Sequence, residues 1–402
     1  MKKCIFILLS IFSFVSCSKD DETIASSPLE PAKRTVIVYM AGENNLESYD
    51  CLKRDIEEMK IGRKLVAESE NLVVFVDKAN AIERPFLARV TIDNKLDTLY
   101  RYQEDFYSSD PEKFADVLTK AVTLCPATED YGLVLWGHAN GWIIENDSIE
   151  VKRAYGLDTG DNTPQYKGMW LNIPTMREAL GKTPVAKWRF IFFDCCNMMS
   201  VETAYELRNS ADYLIGSPAE IPANGAPYNT IVPDLFLRTQ DFYKNIIDDY
   251  AVCYAGNIPL SVVNTSMLEQ LAMATKKHLS KVKQSAAASN WNDYIYYYND
   301  FNNWNRVHLM YDIKEVVSKA QADDKSSYEQ WLSTLEATIP YHHLAKSWAT
   351  NLTIAIKFTD FTVTEDVFSG LSIFVPMEKY QNLAGNYNEN IKKLAWYYAC
   401  GW

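Results

Sequence analysis

The sequence predicts an α/β fold with a mostly parallel central sheet that is covered by helices on both faces. Four runs of apolar and β-branched residues have the length of buried strands, at positions 35–41, 72–76, 131–136 and 188–193. These runs are continuous rather than alternating, which is typical of strands buried on both faces. Helical patterns lie between several of them, as parallel strands require.

The other elements of the first 265 residues fit this fold class. Three helices are predicted, over residues 46–60, 110–125 and 200–207. Residues 86–102 alternate between apolar and polar side chains around Asp93 and Asn94, which predicts a hairpin. Residues 213–216 form a fifth apolar strand.

The pattern changes beyond about residue 265. Helices are predicted over residues 267–282 and 327–337, separated by an aromatic, asparagine-rich segment at 291–304. Two late strands, at 352–358 and 371–375, are predicted either to join the sheet or to pair with each other. We therefore divide the folded chain into an α/β domain at 34–265 and a mainly helical C-terminal region with late strands at 266–402.

The N-terminus resembles that of a bacterial lipoprotein. A basic start is followed by an apolar run that ends at Cys17 and is too short to span a bilayer as a mature helix. The resemblance implies a signal peptide at 1–17 and lipidation of Cys17; an ordinary signal peptide is the alternative. The acidic residues of the tether at 18–33 resemble a surface-export signal of Bacteroidetes lipoproteins, although a solvated linker fits too. We expect a surface-exposed outer-membrane lipoprotein.

Composition excludes several classes of partner and cofactor. The net charge is -12 and basic residues do not cluster, which argues against nucleic-acid binding. No later segment approaches about 18 uninterrupted apolar residues, so we expect membrane contact through the lipid anchor only. The remaining cysteines show neither metal-binding spacing nor a dense disulfide framework. The polar loop at 158–162 is a weak candidate for a metal site, so we predict no metal. We also expect a monomeric chain.

Two residues with catalytic chemistry follow buried strands. His138 lies two residues after the run at 131–136, and Cys196 lies three residues after the run at 188–193. Ligands and reacting groups collect at the carboxyl ends of strands in an open α/β sheet. An imidazole beside a thiol can accept its proton and later protonate a leaving amine. The positions of His138 and Cys196 in the predicted fold are equally compatible with packing roles and with catalysis.

Longer motifs around these residues resemble the clostripain family of cysteine peptidases, peptidase family C11. The motifs are VYMAGENNLE at 38–47, LWGHANGW at 135–142, FDCCNM at 193–198 with Glu202 on the following helix, and GLSIFVP at 370–376. The resemblance implies a caspase-like α/β/α fold related to gingipains, legumain and separase. It also implies cysteine peptidase activity on protein or peptide substrates.

The resemblance assigns roles to individual residues. His138 is the catalytic histidine and Cys196 the nucleophile, while Cys195 occupies a variable position. Adjacent side chains on a strand point to opposite faces, so we favour a packing role for Cys195 over a resolving thiol or an inhibitory vicinal disulfide. The oxyanion is expected to bind backbone N–H groups of Cys196 and Ala139. The family usually has glycine at the position of Ala139, and alanine preserves this donor only if the turn does not need a positive φ.

The family's specificity and maturation suggest further candidates. Asp194 corresponds to an aspartate that attracts an Arg or Lys side chain, although ordering the strand end is an equally good interpretation. Ser217 and Glu220 are predicted pocket residues, with a plain loop glutamate as the alternative. Lys152 and Arg153 form a candidate self-cleavage site, with a structural Arg153 as the alternative. Clostripain itself is calcium-linked, so the resemblance leaves calcium open as a cofactor, although no calcium loop is visible here.

The function predicted from the sequence is therefore an endopeptidase that cleaves after Arg or Lys at the cell surface. The alternatives are a different P1 preference, suggested by Ala139, and a catalytically idle lipoprotein that binds ligands.

Overall fold

The computed structural model describes residues 27–79, 82–144, 154–160, 168–288, 291–300, 307–321, 324–350 and 358–402. Its strands are β1 (Ala32–Gly42), β2 (Asn71–Lys78), β3 (Phe86–Val90), β4 (Leu96–Arg101), β5 (Ala127–Trp136), β6 (Tyr155–Asp158), β7 (Met169–Leu171), β8 (Trp188–Asp194), β9 (Ala211–Gly216), β10 (Leu260–Asn264), β11 (Tyr296–Asp300), β12 (Val307–Asp312), β13 (Tyr341–His343), β14 (Ser347–Ala349), β15 (Phe358–Asp360) and β16 (Ser372–Ile373). Its α-helices are α1 (Asn45–Ser48), α2 (Cys51–Arg63), α3 (Pro111–Leu124), α4 (Ile173–Gly181), α5 (Val201–Glu206), α6 (Tyr228–Asp234), α7 (Tyr243–Cys253), α8 (Leu268–Ala288), α9 (Ile313–Ala320), α10 (Lys325–Thr338), α11 (Tyr387–Asn390) and α12 (Ala395–Cys400).

A nine-stranded sheet forms the centre of the molecule, with the spatial order β13-β10-β9-β8-β5-β1-β2-β3-β4. The five middle strands run parallel to one another. Each edge adds two antiparallel strands, β3 and β4 on one side and β10 and β13 on the other. The predicted α/β class is confirmed, and the predicted hairpin is β3–β4.

Helices cover both faces of this sheet because both faces of its central strands are apolar. In β1, Ile37 and Tyr39 pack into a core cluster that also contains residues of α3, α4 and α5. Val36 and Val38 pack into a second cluster, with residues of α2, α6 and α7. Successive side chains of a strand point to opposite faces, and this alternation produces the expected α/β/α sandwich.

The first predicted helix is interrupted. The continuous helix expected over residues 46–60 is instead the short α1 followed by α2. Asp50, the residue before α2, has φ 55°, a left-handed conformation that ends the preceding turn. Aspartate adopts this conformation at lower cost than most residues, because its short side chain can hydrogen-bond locally. The apolar periodicity therefore continues across a break in the backbone.

The C-terminal region contains the two predicted helices, which are α8 and α10, together with strands that the sequence did not predict. The aromatic segment between the helices includes β11, which pairs with β12, and β12 pairs with β16. The predicted strand at 352–358 lies outside the described residues except for Phe358, which begins β15, and β15 pairs with β14. The predicted strand at 371–375 contains β16, whose partner β12 is not part of the central sheet. The strand β13 joins the central sheet at its edge. The domain boundary near residue 265 stays a prediction. None of the helices in the described ranges is long and apolar enough to cross a bilayer.

Candidate active site

The two predicted catalytic residues follow neighbouring parallel strands at the same edge of the sheet. Trp136 at the end of β5 pairs with Asp194 at the end of β8. His138 and Cys196 therefore each stand two residues beyond this matched pair. The Gly137 N–H donates a hydrogen bond of 3.4 Å to the Asp194 carbonyl, which continues the contact past the strand ends.

Further contacts connect the loop that carries His138 to the loop that carries Cys196. Asn197 Nδ2 donates to Asn140 Oδ1 at 3.0 Å, and both side chains are buried. Gly141 has φ 64°, and a Cβ atom there would lie 2.5 Å from the Asn197 carbonyl oxygen. Only glycine allows this close approach with a positive φ. The structure thus places the two loops against each other, as the sequence predicted.

Asn45 holds the His138 ring. Its Oδ1 lies 2.7 Å from His138 Nε2. With the amide oxygen as acceptor, Nε2 carries the proton and Nδ1 is left as the basic nitrogen. Burial lowers the pKa of His138 to about 4, so the imidazole is neutral at neutral pH.

Sequence reasoning missed the role of Asn45. The residue lies in the segment after β1, and β1 is the direct neighbour of β5 in the sheet. An amide just beyond a buried strand, at the edge where His138 was expected, was the signal that could have identified it.

The Cys196 thiol is half-buried beside the segment that follows β9. Its Sγ accepts a hydrogen bond from the Ile221 N–H at 3.3 Å. Burial raises the pKa of Cys196, and the charges of Glu220 and, less strongly, Asp194 raise it further. The resting site therefore combines a protonated thiol with a neutral imidazole. Such a site needs the histidine as a general base during attack, because no thiolate is formed beforehand.

Cys195 points away from this site. It is 0 % exposed and packs in the core cluster on the opposite face of the sheet from the apolar contacts of Cys196. Both cysteines are free thiols in the structure. The geometry supports the packing role that we favoured for Cys195.

The backbone at Ala139 accommodates a side chain. Ala139 is absent from the described non-glycine residues with positive φ, so the turn does not require the glycine that is usual in the family. Ala139 pairs with Tyr155 in an isolated antiparallel bridge. The two hydrogen bonds of this bridge flank the pair: the Asn140 N–H donates to the Ala154 carbonyl, and the Gly156 N–H donates to the His138 carbonyl, each at 2.7 Å. In such a non-hydrogen-bonded pair, the N–H of Ala139 points away from Tyr155. This orientation is compatible with the predicted oxyanion role.

The Asp194 carboxylate is deep in the fold. It is 3 % exposed and accepts three hydrogen bonds, from the Ala226 N–H at 2.9 Å, the Tyr228 hydroxyl at 2.8 Å and the Tyr250 hydroxyl at 3.0 Å. Burial raises the pKa of Asp194, and these donors lower it. The contacts support the structural interpretation of Asp194, while its role in binding a substrate side chain stays a prediction.

The other predicted residues occupy different environments. Ser217 is buried, and its Oγ accepts a hydrogen bond from the Ala219 N–H at 3.0 Å within its own turn. Glu220 is half-buried, and its charge acts directly on Cys196. Glu202 Oε1 accepts a hydrogen bond from the Phe374 N–H at 2.7 Å, which ties the helix after Cys196 to the late strand region. The predicted sites at Cys17, Lys152 and Arg153 lie outside the described residues.

Comparisons with known proteins agree with this geometry. The model of the clostripain family, Peptidase_C11, matches residues 38–402. A secreted C11 cysteine protease from Bacteroides thetaiotaomicron, solved with an irreversible peptide inhibitor, is 28% identical with a TM-score of 0.73, over 92% of this chain and 99% of that chain. An inactive zymogen C11 protease from Parabacteroides distasonis is 26% identical with a TM-score of 0.75, over the same shares. No curated protein matches the sequence significantly.

The family model spans the loops that carry His138 and Cys196, and each of the two structures covers 92% of this chain. The protein therefore belongs to the clostripain family and is a cysteine peptidase of the C11 type.

Proposed function

We propose that the protein is an endopeptidase that uses a Cys196–His138 dyad to cleave extracellular proteins after Arg or Lys. The observation that carries this proposal is the fixed contact between the two catalytic loops through Asn140 and Asn197 at the edge of the sheet. The Glu220 charge beside the thiol supports a basic P1 side chain, because opposite charges attract strongly in a partly desolvated site.

The proposed reaction follows from the protonation states of the dyad. The neutral His138 imidazole takes the Cys196 proton while Sγ attacks the scissile carbonyl carbon. The backbone N–H groups of Cys196 and Ala139 stabilise the negative charge that develops on the carbonyl oxygen. The imidazolium then protonates the leaving amine, and water hydrolyses the acyl-enzyme. Asn45 keeps the imidazole oriented throughout.

Substrate preference tests this function directly. We expect fluorogenic peptides with Arg or Lys at P1 to be cleaved, and peptides with Leu or Asp at P1 to be poor substrates. Glu220→Gln should lower kcat/KM for the Arg substrate about tenfold to a hundredfold, the range for loss of a charge-assisted contact. The measurement is kcat/KM for each substrate with each variant.

A matched control distinguishes the effect of removing a charge at the site from the effect of removing a charge elsewhere on the protein. Glu329→Gln makes the same substitution at an exposed position of α10 and should leave all rates unchanged. If the wild type cleaves Leu-P1 peptides better than Arg-P1 peptides, the basic specificity is wrong. Cleavage of no peptide at all would favour a binding protein over a peptidase.

The raised pKa of Cys196 predicts how its reactivity depends on pH. A thiol reacts with iodoacetamide as its thiolate, and the thiolate fraction grows about tenfold per pH unit below the pKa. Because burial raises the pKa of Cys196, we expect its alkylation rate to keep rising from pH 6 to pH 9. Mass spectrometry of the peptides separates it from the exposed Cys253. A rate that levels off below pH 7 would instead indicate a preformed thiolate–imidazolium pair.

Location and maturation form part of the same proposal. The lipoprotein-like N-terminus that ends at Cys17 supports a lipid-anchored enzyme on the outer surface, and the basic pair Lys152–Arg153 supports self-cleavage. The Parabacteroides distasonis relative is described as an inactive zymogen, which supports a cut of this kind. Intact mass and N-terminal sequencing of the purified protein test both points, and an unprocessed, fully active chain would contradict the cleavage. We propose that the enzyme is a monomer.

A further inference from the structure

Three acidic side chains converge at the ends of strands on one side of the His138 loop. Glu43 directly follows β1, Asp77 is the last residue but one of β2, and Asp158 ends β6. Each residue is 0 % exposed. One carboxylate oxygen from each lies within 4.8 Å of the corresponding oxygens of the other two. Three carboxylates thus share one buried space.

In the part of the chain that the structure describes, no hydrogen bond compensates for the burial of the Asp77 carboxylate. Neither of its carboxylate oxygens has a hydrogen-bond partner among the described residues, although the side chain is fully buried. An unpaired buried carboxylate is unfavourable, and a cation bound beside Asp77 would offset this cost.

Asp158 is held in place by protein groups. Its Oδ2 accepts hydrogen bonds from the Ser108 N–H at 2.6 Å and the Ser108 Oγ at 3.1 Å, and its Oδ1 accepts one from the Gly160 N–H at 2.9 Å. Such partners orient a carboxylate and leave lone pairs available, as is typical of the groups around metal ligands. Asp105 adds a further carboxylate with two buried oxygens that lack hydrogen-bond partners in the described part of the chain.

The spacing of the oxygens fits a metal ion. Oxygen ligands lie about 2.3–2.6 Å from Ca²⁺ and about 2.0–2.1 Å from Mg²⁺, so two ligands of one ion are at most about 5 Å apart. The three oxygens satisfy this limit. Carboxylates are the ligands that hard divalent cations prefer. We propose that Glu43, Asp77 and Asp158 bind one hard divalent cation, Ca²⁺ or Mg²⁺, with Asp105 adding negative charge beside it.

The proposed ion would connect the segments that position the catalytic histidine. Glu43 lies two residues before Asn45, the hydrogen-bond partner of His138 Nε2. The Thr159 N–H, next to Asp158, donates to the Glu43 carbonyl at 2.9 Å, and the Gly156 N–H of β6 donates to the His138 carbonyl at 2.7 Å. The cation would therefore stabilise the base of the His138 loop from both sides. Its role is positioning, because its ligands do not contact the reacting atoms.

Binding and thermal stability test the proposal without measuring catalysis. The full-length protein is treated with EDTA and desalted, and CaCl₂ or MgCl₂ is titrated by calorimetry. We expect one ion per chain and a rise in Tm of about 3 °C at a concentration a hundred times the Kd. The two salts distinguish the ions, since the site binds its own cation at least tenfold more tightly.

Two variants localise the effect. Asp77→Asn should lower the affinity at least a hundredfold and abolish the rise in Tm. Asp312→Asn makes the same substitution at another fully buried aspartate, whose oxygens accept hydrogen bonds from Tyr297, Lys314, Ser369 and Gly370. It should lower Tm but preserve the increase produced by the cation.

The proposal is overturned if neither salt binds the stripped wild-type protein or changes its Tm. It is equally overturned if Asp77→Asn retains the full rise, because the ion then binds elsewhere. Should Asp77→Asn fail to fold, displacement of Tb³⁺ luminescence by Ca²⁺ or Mg²⁺ in the wild type decides whether one saturable site exists. These outcomes do not depend on P1 specificity, so the two proposals can fail separately.

Discussion

Replacing Cys196 with alanine is expected to lower kcat/KM by about ten-thousand-fold or more, the loss typical when a catalytic nucleophile is removed. Without Sγ no acyl-enzyme can form, and the remaining backbone donors and His138 cannot replace the covalent step. The measurement is kcat/KM for an Arg-P1 peptide, together with a thermal melt. The melt should change little, because Cys196 is half-buried and alanine fills most of its space.

Cys195→Ala is the matched control, since it removes the same atom one residue earlier. Cys195 is fully buried on the other face of the sheet, so we expect some loss of stability and kcat/KM within about threefold of the wild type. The reverse result, with activity kept by Cys196→Ala and lost by Cys195→Ala, would assign the nucleophile to Cys195. Equal large losses of kcat/KM in both variants would contradict the placement of Cys195 and Cys196 on opposite faces of the sheet.

Asp194→Ala is expected to lower the free energy of unfolding by about 3 kcal/mol or more. The substitution leaves the Ala226 N–H and the Tyr228 and Tyr250 hydroxyls without their acceptor, and each unsatisfied buried donor costs about 1–3 kcal/mol. Urea unfolding followed by circular dichroism measures the difference. Activity should fall as well, because Asp194 also ends the strand that leads into Cys196.

Asp194→Asn separates the two interpretations of this residue. Asparagine keeps the shape and one acceptor oxygen, and a tyrosine hydroxyl can turn to accept from its amide. We expect a smaller loss of stability than in the alanine variant. If both variants unfold like the wild type but lose only Arg-P1 and Lys-P1 cleavage, Asp194 acts mainly in substrate binding. A large loss of stability in the alanine variant supports the structural role.

The sequence was most informative where one local pattern determines one element. The continuous apolar runs identified the central strands, because a strand buried on both faces requires apolar side chains at every position. The same pattern could not show the break at Asp50, which depends on one backbone angle. The strands β11 and β12 were missed because aromatic and asparagine residues also suit loops, and only pairing across the chain distinguishes the two states.

The candidate active site was also only partly predictable from the sequence. The positions of His138 and Cys196 follow from the rule that chemistry collects at the carboxyl ends of strands. The partners of Asp194 could not be predicted, since Tyr228 and Tyr250 are 34 and 56 residues away and approach through the packing of α6 and α7. The Glu43–Asp77–Asp158 cluster was missed as a whole, because its members lie at the ends of three different strands and form no motif in the sequence. Only Asp158 belongs to the polar loop that was considered as a weak metal candidate.

The strand order has a consequence for a chain that is cut after Lys152 or Arg153. The first fragment would contain β5-β1-β2-β3-β4, and the second would contain β13-β10-β9-β8. The interface between the fragments would then include the pairing of β5 with β8, with His138 on one polypeptide and Cys196 on the other. The nicked protein would be an obligate heterodimer that shares one sheet. It would elute as one particle, run as two bands after denaturation, and have no active separate half.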